Sequence, residues 1–303
     1  MTHKLRVAIA AVIILWASAF VGIRAGLKYY SPEGLALFRY LVASMVMSIV
    51  YFNLPSRTLI KTKDKIKLLM VGVIGIGVYN LTLNYGELVV SSGVASFITS
   101  QAPVVTTLFA VLFLGETLTP QRVLGFLVSM IGVAFIAYGE IGSFAITAIT
   151  ASMIYVFAAM LAGSCYSIMH KPFLKKYNAI ESTTYVIWGG TLFLLFYVSH
   201  MLHDVTHAPF TATLTVIYLG VFPATLAYLA WSYILQNMSV SHTVSYMYAI
   251  PFAAALLGWL LLGEAPAMIS LLGAVIAIVG VWLVNQSYRP SANSEPVLEA
   301  NAA

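Results

Sequence analysis

Charged residues are scarce in this chain of 303 residues: Asp, Glu, Lys and Arg together make up 8% of it, whereas 61% of its residues are hydrophobic. A water-soluble fold of this length could not hide so much apolar surface from solvent behind so few charges. The composition therefore excludes a soluble protein and indicates an integral membrane protein.

Several other features are missing. The single cysteine, Cys165, cannot form an intramolecular disulfide. The sequence contains no phosphate-cradling Gly-Lys loop, nucleophile elbow or catalytic metal-helix signature. Segments of about ten residues with alternating polarity, which are typical of a membrane β-barrel, are also absent. We therefore do not expect an enzyme, a cofactor or a resident metal.

Apolar stretches follow one another along the chain with short polar breaks between them. About 20 apolar residues, at a rise of about 1.5 Å each, cross the hydrocarbon core as a helix. The sequence thus predicts an all-α integral membrane protein with ten transmembrane helices. The predicted spans are 5–27, 33–54, 66–87, 91–114, 121–139, 152–172, 180–200, 210–235, 240–262 and 268–286.

Lysine and arginine fall mainly on one side of the predicted membrane, where positive loops stay cytoplasmic. Both termini are therefore predicted to be cytoplasmic, in the inner membrane of a bacterium. The net charge of +5 is accounted for by these flanks, so no nucleic-acid partner is expected. The basic run 57–67 indicates contact with lipid headgroups. The residues on the positive side are Lys4, Arg6, Arg57, Lys61, Lys63, Lys65, Lys67, Arg122, Lys171, Lys175, Lys176 and Arg289.

The sequence repeats itself at a constant offset of 148 residues. Two halves follow, 5–139 and 152–286, with a predicted disordered cytoplasmic tail at 287–303. Five helices in each half is an odd number, so the second half enters the membrane inverted, as alternating access requires. The matched positions include Phe113-Leu114-Gly115-Glu116 with Leu261-Leu262-Gly263-Glu264, Pro103 with Pro251, Gly125 with Gly273, and Gly132 with Gly280.

The glycines and acids of this repeat are interpreted as structural. The seven-residue spacings Gly125 to Gly132 and Gly273 to Gly280 predict a packing seam. Glu116 and Glu264 are expected to cap the helices that follow them. Pro103 and Pro251 are expected to kink their helices.

The order of motifs resembles the EamA-type transporters of the drug/metabolite transporter superfamily. The resemblance covers both halves and rests on Trp16-Ala17-Ser18-Ala19-Phe20, Pro32 with Arg39 and Ala43, and the run from Tyr85 through Ser91, Ala95, Pro103 and Leu114-Gly115-Glu116 to Gly125 and Gly132. It implies ten helices, a central cavity lined by helices one to four and six to nine, and export or uptake of amino acids or related metabolites.

We therefore expect a secondary transporter of small organic metabolites that works by alternating access, with amino acids and export as the leading expectation. Polar side chains within helices one to four and six to nine indicate the cavity, because a polar group is costly in hydrocarbon unless it faces a cavity or a partner. The candidate substrate-binding residues are Trp16, Arg39, Asn80, Asn84, Ser96, Ser100, Tyr228, Trp231, Ser232, Ser245 and Tyr248.

Some of these assignments leave alternatives open. The amides and serines could equally bond or pack between helices. Arg39 either extends to the membrane surface or pairs with a substrate carboxylate or with Glu87. Glu87 and His170 are candidate groups for proton coupling.

Two other functions compete with transport of metabolites. His200, His203, Asp204 and His207 could place several metal ligands on one helical face, as in a membrane-embedded metal-dependent enzyme. An ion channel is the other alternative, although neither a ring of charges nor a carbonyl filter is visible. A homodimer is possible on this sequence.

Overall fold

The computed structural model describes residues 2–89, 92–115, 119–140, 146–262 and 268–286. Every regular element within these ranges is helical. In chain order the helices are α1 (His3–Gly26), α2 (Pro32–Phe52), α3 (Thr62–Glu87), α4 in two pieces (Ser92–Thr99 and Ala102–Leu114), α5 (Pro120–Glu140), α6 (Ile146–Leu174), α7 (Ala179–His207), α8 (Phe210–Asn237), α9 in two pieces (Val240–Ser245 and Ile250–Leu262) and α10 (Met268–Gln286).

Seven of the described helices are long and apolar enough to cross a membrane, namely α1, α2, α3, α6, α7, α8 and α9. The predicted all-α membrane protein is thereby confirmed, whereas ten as the number of spans stays a prediction. Three boundaries differ by four residues or more: α3 begins at Thr62 rather than at 66, α6 begins at Ile146 rather than at 152, and α7 continues to His207 rather than ending at 200. The extensions of α3 and α7 carry charged residues or histidines, which mark a membrane boundary by hydropathy but are compatible with a helix.

Local irregularities recur at equivalent positions in the two halves. α3 and α8 each contain a π-helical turn, at Val73–Val78 and Phe222–Leu226, and residues 74–78 become 222–226 when shifted by 148. α4 is interrupted before Pro103, and α9 contains a 3₁₀ turn, Tyr246–Ala249, before Pro251. Proline explains both interruptions, because it lacks the N–H that a continuous helix needs.

α5 and α10 pack with their backbones in contact, at a site that we call the α5–α10 seam. A Cβ added to Gly132 would lie 2.3 Å from the backbone nitrogen of Ala277, and one added to Gly280 would lie 2.4 Å from that of Ser129. The Ser129 hydroxyl also donates to the Ala277 carbonyl at 3.2 Å. A shift of 148 exchanges the two sides of this contact, so it is reciprocal. The glycine seam predicted from the sequence is present.

Cations close the C-terminal ends of α3 and α8. Arg24 Nη1 donates to the Glu87 carbonyl at 2.8 Å, and Lys171 Nζ donates to the carbonyls of Leu235 and Met238. Glu87 and Leu235 are again 148 residues apart. Because the C-terminal carbonyls of a helix carry partial negative charge, a cation stabilises each end.

The predicted caps Glu116 and Glu264 and the predicted tail 287–303 lie outside the described residues.

Candidate functional site

A cavity lies among α1, α2, α3, α4, α6, α8 and α9, and we call it the central cavity. Among the described lining residues none comes from α5, α7 or α10. Six of the predicted substrate-binding residues line it: Trp16, Arg39, Ser96, Ser100, Tyr228 and Trp231.

Aromatic rings form one wall of the central cavity. The ring centroid of Trp16 lies 5.0 Å from that of Trp231 and 5.6 Å from that of Tyr228. Tyr166 continues the wall, with its centroid 5.8 Å from that of Tyr228. These separations lie within the range of favourable aromatic pairs. The wall is thus a packed, largely apolar surface suited to an apolar or aromatic part of a solute.

Arg39 brings a positive charge to the cavity, and it is the one charged residue among the described lining residues. Its side chain is only 3% exposed. Nη1 donates to Asn80 Oδ1 at 3.1 Å, and the guanidinium lies 5.4 Å from the centre of the Tyr40 ring. Nε is buried without a hydrogen-bond partner. No described carboxylate hydrogen-bonds to this guanidinium, so the cavity contains a buried cation without a bonded counterion.

Asn80 bonds to Arg39 but is not itself among the described residues that line the central cavity. Its Nδ2 donates to the hydroxyl of Tyr40 and to the carbonyl of Ile76, both at 2.9 Å. These two bonds fix the amide orientation and leave Oδ1 to accept from Arg39. Asn80 therefore positions the guanidinium.

Hydroxyl groups of α4 and α6 line the opposite part of the cavity. The Thr99 hydroxyl donates to the Ala95 carbonyl at 2.9 Å, and the Ser167 hydroxyl donates to Gly163 at 3.2 Å. The Thr106 hydroxyl is buried without a hydrogen-bond partner. A polar group of a bound solute could satisfy it.

Four further predicted site residues lie in contacts between or within helices. The Asn84 Nδ2 donates to the Pro32 carbonyl at 2.8 Å, and the Ser232 hydroxyl accepts from Thr183 at 2.7 Å. Ser245 donates to the His242 carbonyl at 2.8 Å, and Tyr248 packs against Phe126 with 6.4 Å between ring centroids. None of these four is among the described residues that line the central cavity.

The two candidate coupling residues have different surroundings. His170 is fully buried and bonded on both nitrogens, at 2.7 Å to the Ser182 hydroxyl and at 3.2 Å to the Tyr166 hydroxyl. Glu87 is equally buried, but neither of its carboxylate oxygens has a hydrogen-bond partner.

Several lining residues were not singled out from the sequence, among them Thr99, Thr106, Tyr166 and Ser167. Thr99 and Thr106 are three and ten residues after Ser96, which is helical spacing, so a wider stripe on α4 would have included them. Tyr166 and Ser167 lie four and three residues before His170, so a polar stripe on α6 extended from that candidate would have included them.

A second, smaller cavity adjoins the central one towards the N-terminal end of α1, where Ile9, Val12 and Ile13 line it. The two cavities share Trp231, Met247 and Ile250. The indole of Trp231 is only 2% exposed, and its Nε1 has no hydrogen-bond partner. Trp231 therefore stands in the wall between the two spaces.

The histidine cluster of α7 does not form a metal site in the described residues, where no three His, Cys, Asp or Glu side chains could hold one ion. Asp204 instead accepts from the backbone and hydroxyl of Ser31, at 2.9 and 2.6 Å. His203 stacks on His207 with 4.3 Å between ring centroids. Asp204 thus fastens the N-terminus of α2.

Known proteins share this architecture and sequence. The model of the EamA-like transporter family matches residues 5–138 and again residues 150–286. The uncharacterized transporter YdfC of Bacillus subtilis (strain 168) is 35% identical over 280 residues, which are 92% of this chain and 90% of that protein. A probable terminal-alkyne amino-acid exporter of Streptantibioticus cattleyicolor is 35% identical over 279 residues, 92% of each chain.

A solved structure, described only as the crystal structure of a protein, has a similar fold. Its TM-score is 0.75 at 17% sequence identity, and the match covers 94% of this chain and 98% of that one. At this identity the likeness concerns the fold alone. The family match and the two relatives confirm the resemblance noted in the sequence: this chain belongs to the EamA-like transporter family and is a multi-pass membrane transporter.

Proposed function

We propose that this chain exports amino acids, or closely related metabolites that carry a carboxylate, across the bacterial inner membrane by alternating access. The substrate binds in the central cavity. Its carboxylate contacts Arg39, and its apolar part lies against Trp16, Tyr228 and Trp231.

The unpaired charge of Arg39 carries this proposal. A buried cation is costly within a membrane unless an anion or a polar cavity compensates it. Arg39 is held by Asn80 and Tyr40, and its Nε is without a partner. A guanidinium fixed in this way matches the planar, two-oxygen geometry of a carboxylate.

The apolar wall indicates the rest of the solute. Trp16, Tyr228 and Trp231 offer ring faces but no charge, and no described lining residue is acidic. A large apolar or aromatic side chain gains from burial against such a surface, whereas a charged side chain on the solute would lose its hydration without a partner. The relative named as a probable terminal-alkyne amino-acid exporter supports amino acids as the class and export as the direction.

The proposed architecture is ten transmembrane helices in two inverted repeats of five, 5–139 and 152–286, with both termini in the cytoplasm. The recurrence of the π-helical turns and proline interruptions at an offset of 148 supports the repeat. The reciprocal α5–α10 seam supports a two-fold relation between the halves. Repeats of opposite orientation can exchange conformations, which exposes the cavity to each side in turn.

The test uses purified protein in liposomes and three probes that share a phenyl ring: L-phenylalanine, 3-phenylpropionate and phenethylamine. We expect saturable counterflow of L-phenylalanine, inhibition by 3-phenylpropionate, and no effect of phenethylamine, which lacks the carboxylate. Arg39→Gln should abolish this discrimination, whereas Arg57→Gln, which changes an exposed cation stacked on Tyr51 and Phe52, should retain it. Transport of phenethylamine at the rate of L-phenylalanine would contradict the proposal.

A further inference from the structure

Three buried acceptor oxygens without partners lie together near the end of α3. They are both carboxylate oxygens of Glu87 and Oδ1 of Asn84, and the two side chains are 0% and 1% exposed. Residues three apart are neighbours on a helix surface. The amide orientation of Asn84 is fixed, because its Nδ2 donates to the Pro32 carbonyl at 2.8 Å. The group is thus a set of acceptors without a donor.

The nearby cations do not supply the missing donor. Arg24 and Arg39 are the two cations that act electrostatically on the Glu87 carboxylate. Arg24 Nη1, however, donates to the backbone carbonyls of Glu87 and Leu88, at 2.8 and 3.5 Å, and Arg39 donates to Asn80. Neither guanidinium bonds to the carboxylate.

The remaining described neighbours of Glu87 make no hydrogen bond to its carboxylate either. Tyr79, eight residues earlier on α3, acts on Glu87 electrostatically but does not bond to it. Glu33 on α2 is occupied by the hydroxyl of Tyr85. α6 presents Val156 and the Ser152 carbonyl to Gly86, the residue next to Glu87.

One proton would satisfy most of this group. A protonated carboxyl has an O–H donor in place of an unpaired charge, and Asn84 Oδ1 is an acceptor one turn away. A metal ion is a poorer match, because hard cations take about six oxygen ligands and three unpartnered oxygens are described here.

The equivalent position in the second half shows that the scaffold does not require an acid. Shifting Glu87 and Asn84 by 148 gives Leu235 and Ser232. Ser232 is bonded to Thr183, and the end of α8 is closed by Lys171 much as Arg24 closes α3. The same helix end is therefore built without a titratable group.

The acid is connected to the substrate site in two ways. Its charge acts on Arg39, which lines the central cavity, and Asn84 bonds to the first residue of α2, the helix that carries Arg39. An ionised Glu87 carries negative charge near the same guanidinium that would bind a solute carboxylate, and it repels that carboxylate. Protonation of Glu87 removes this repulsion and so strengthens the net attraction of the solute to the site.

We propose that Glu87 and Asn84 form a proton-binding site, and that binding of a carboxylate solute at Arg39 takes up one proton on Glu87. The proposal rests on the function proposed above. The proton comes from the water on the side to which the cavity is open, converts the carboxylate to a carboxylic acid, and leaves with the solute on the other side. Solute and proton therefore move in the same direction, and export is driven by the solute's own gradient.

The first measurement needs no substrate. Infrared spectra of the purified protein are recorded over a pH series, and the band of a buried protonated carboxyl should decline as the pH rises. Glu87→Gln should remove this band, whereas Glu33→Gln should retain it. Asn84→Leu should shift the band to higher frequency, because the protonated carboxyl loses its hydrogen-bond acceptor. This shift would assign the band to Glu87 even if Glu87→Gln folds poorly. A spectrum that does not change with pH in the wild type overturns the proton site, whatever the fate of the transport proposal.

The second measurement tests the link to the solute. Binding of L-phenylalanine to wild-type protein in weakly buffered detergent solution should take up about one proton, and the affinity should fall by up to about tenfold per pH unit. Glu87→Gln should bind with high affinity, independently of pH and without proton uptake. His170→Gln and Glu33→Gln should behave as the wild type does. Loss of the pH dependence in the His170 variant alone, a requirement for sodium, or proton release on binding would overturn the proposal.

Discussion

The two halves of the molecule share their backbone but not their polar chemistry. Both have a π-helical turn in the third helix, a proline interruption in the fourth and a cation at the same helix end. At four matched positions, however, the arginine, the two amides and the glutamate stand in the first half alone. The positions Arg39, Asn80, Asn84 and Glu87 become Ile187, Tyr228, Ser232 and Leu235 in the second.

The second half contributes no charged group to the described lining of the cavity, and its rings Tyr166, Tyr228 and Trp231 extend the aromatic wall that begins at Trp16 of the first half. A repeated backbone needs the same glycines and prolines on both sides, because it needs the same geometry. A solute with two unlike ends needs one charged side and one apolar side. In the transport function proposed above, the difference between the halves would give the solute a fixed orientation while the scaffold stays symmetric.

The structural equivalence of the two halves is tested with the largest expected effect at the α5–α10 seam. Gly132→Val and Gly280→Val each place carbon atoms within 3 Å of the facing backbone, which cannot move aside. We expect each to destabilise the protein by about 3 kcal/mol, and the two losses to be similar, as measured by thermal denaturation in detergent. Ala134→Val, on the exposed face of α5, is the control. A large effect in only one half would show that the contact is not equivalent in the two halves.

The charged side is tested by Arg39→Gln. A hydrogen-bonded ion pair contributes about 1.5–3 kcal/mol, so the affinity for L-phenylalanine should fall by about 100-fold. Asn80→Leu, which removes the group that holds Arg39, should give a smaller loss. Arg57→Gln should leave the affinity unchanged. Equal affinities for wild type and Arg39→Gln, by equilibrium binding, would remove the first half from substrate recognition.

The role of the aromatic wall in binding is tested by comparing Trp231 with a second tryptophan, Trp188. Trp231 has no partner for its buried N–H, whereas Trp188 donates to the Ser48 hydroxyl at 3.1 Å. We expect a bound solute to accept a hydrogen bond from the indole N–H of Trp231. Trp231→Phe should therefore weaken binding of L-phenylalanine by about tenfold and leave the stability of the protein unchanged. Trp188→Phe should cost about 1 kcal/mol of stability and leave affinity unchanged. The opposite pattern would assign Trp231 to packing.

The smallest effect concerns a contact in which the second half supports the first. Asp204 on α7 accepts two hydrogen bonds from Ser31, the N-cap of α2. Asp204→Ala should lower stability by about 1 kcal/mol, and His203→Ala should leave it unchanged. Added zinc should protect neither variant. Protection of the wild type by zinc, lost in His203→Ala, would instead point to a metal site at this position.

Much of the architecture could be predicted, because apolar length determines where helices cross and a constant offset reveals a repeat. The π-helical turns could not. Each inserts an extra residue in its turn and so rotates the helix that follows. Asn80 and Asn84 come after such a turn in α3, and the side chains they contact depend on that rotation.

The cavity was only partly predictable for a related reason. Polar residues at helical spacing identify a face, but the face may meet a cavity or another helix. Ser96 and Ser100 line the central cavity, whereas Ser232 bonds to Thr183 on the neighbouring α7. Which of these occurs is decided by tertiary packing, which the spacing does not encode.

The α5–α10 seam has a consequence for how such proteins diversify. Its closest contacts join glycine, alanine and one serine, and its hydrogen bond ends on a backbone carbonyl. None of the described residues that line the central cavity belongs to α5 or α10, so substitutions at the cavity leave the surfaces of the seam intact. A gene that encodes this pairing can therefore exchange the residues around the solute, one at a time, without first acquiring a new way to hold its halves together.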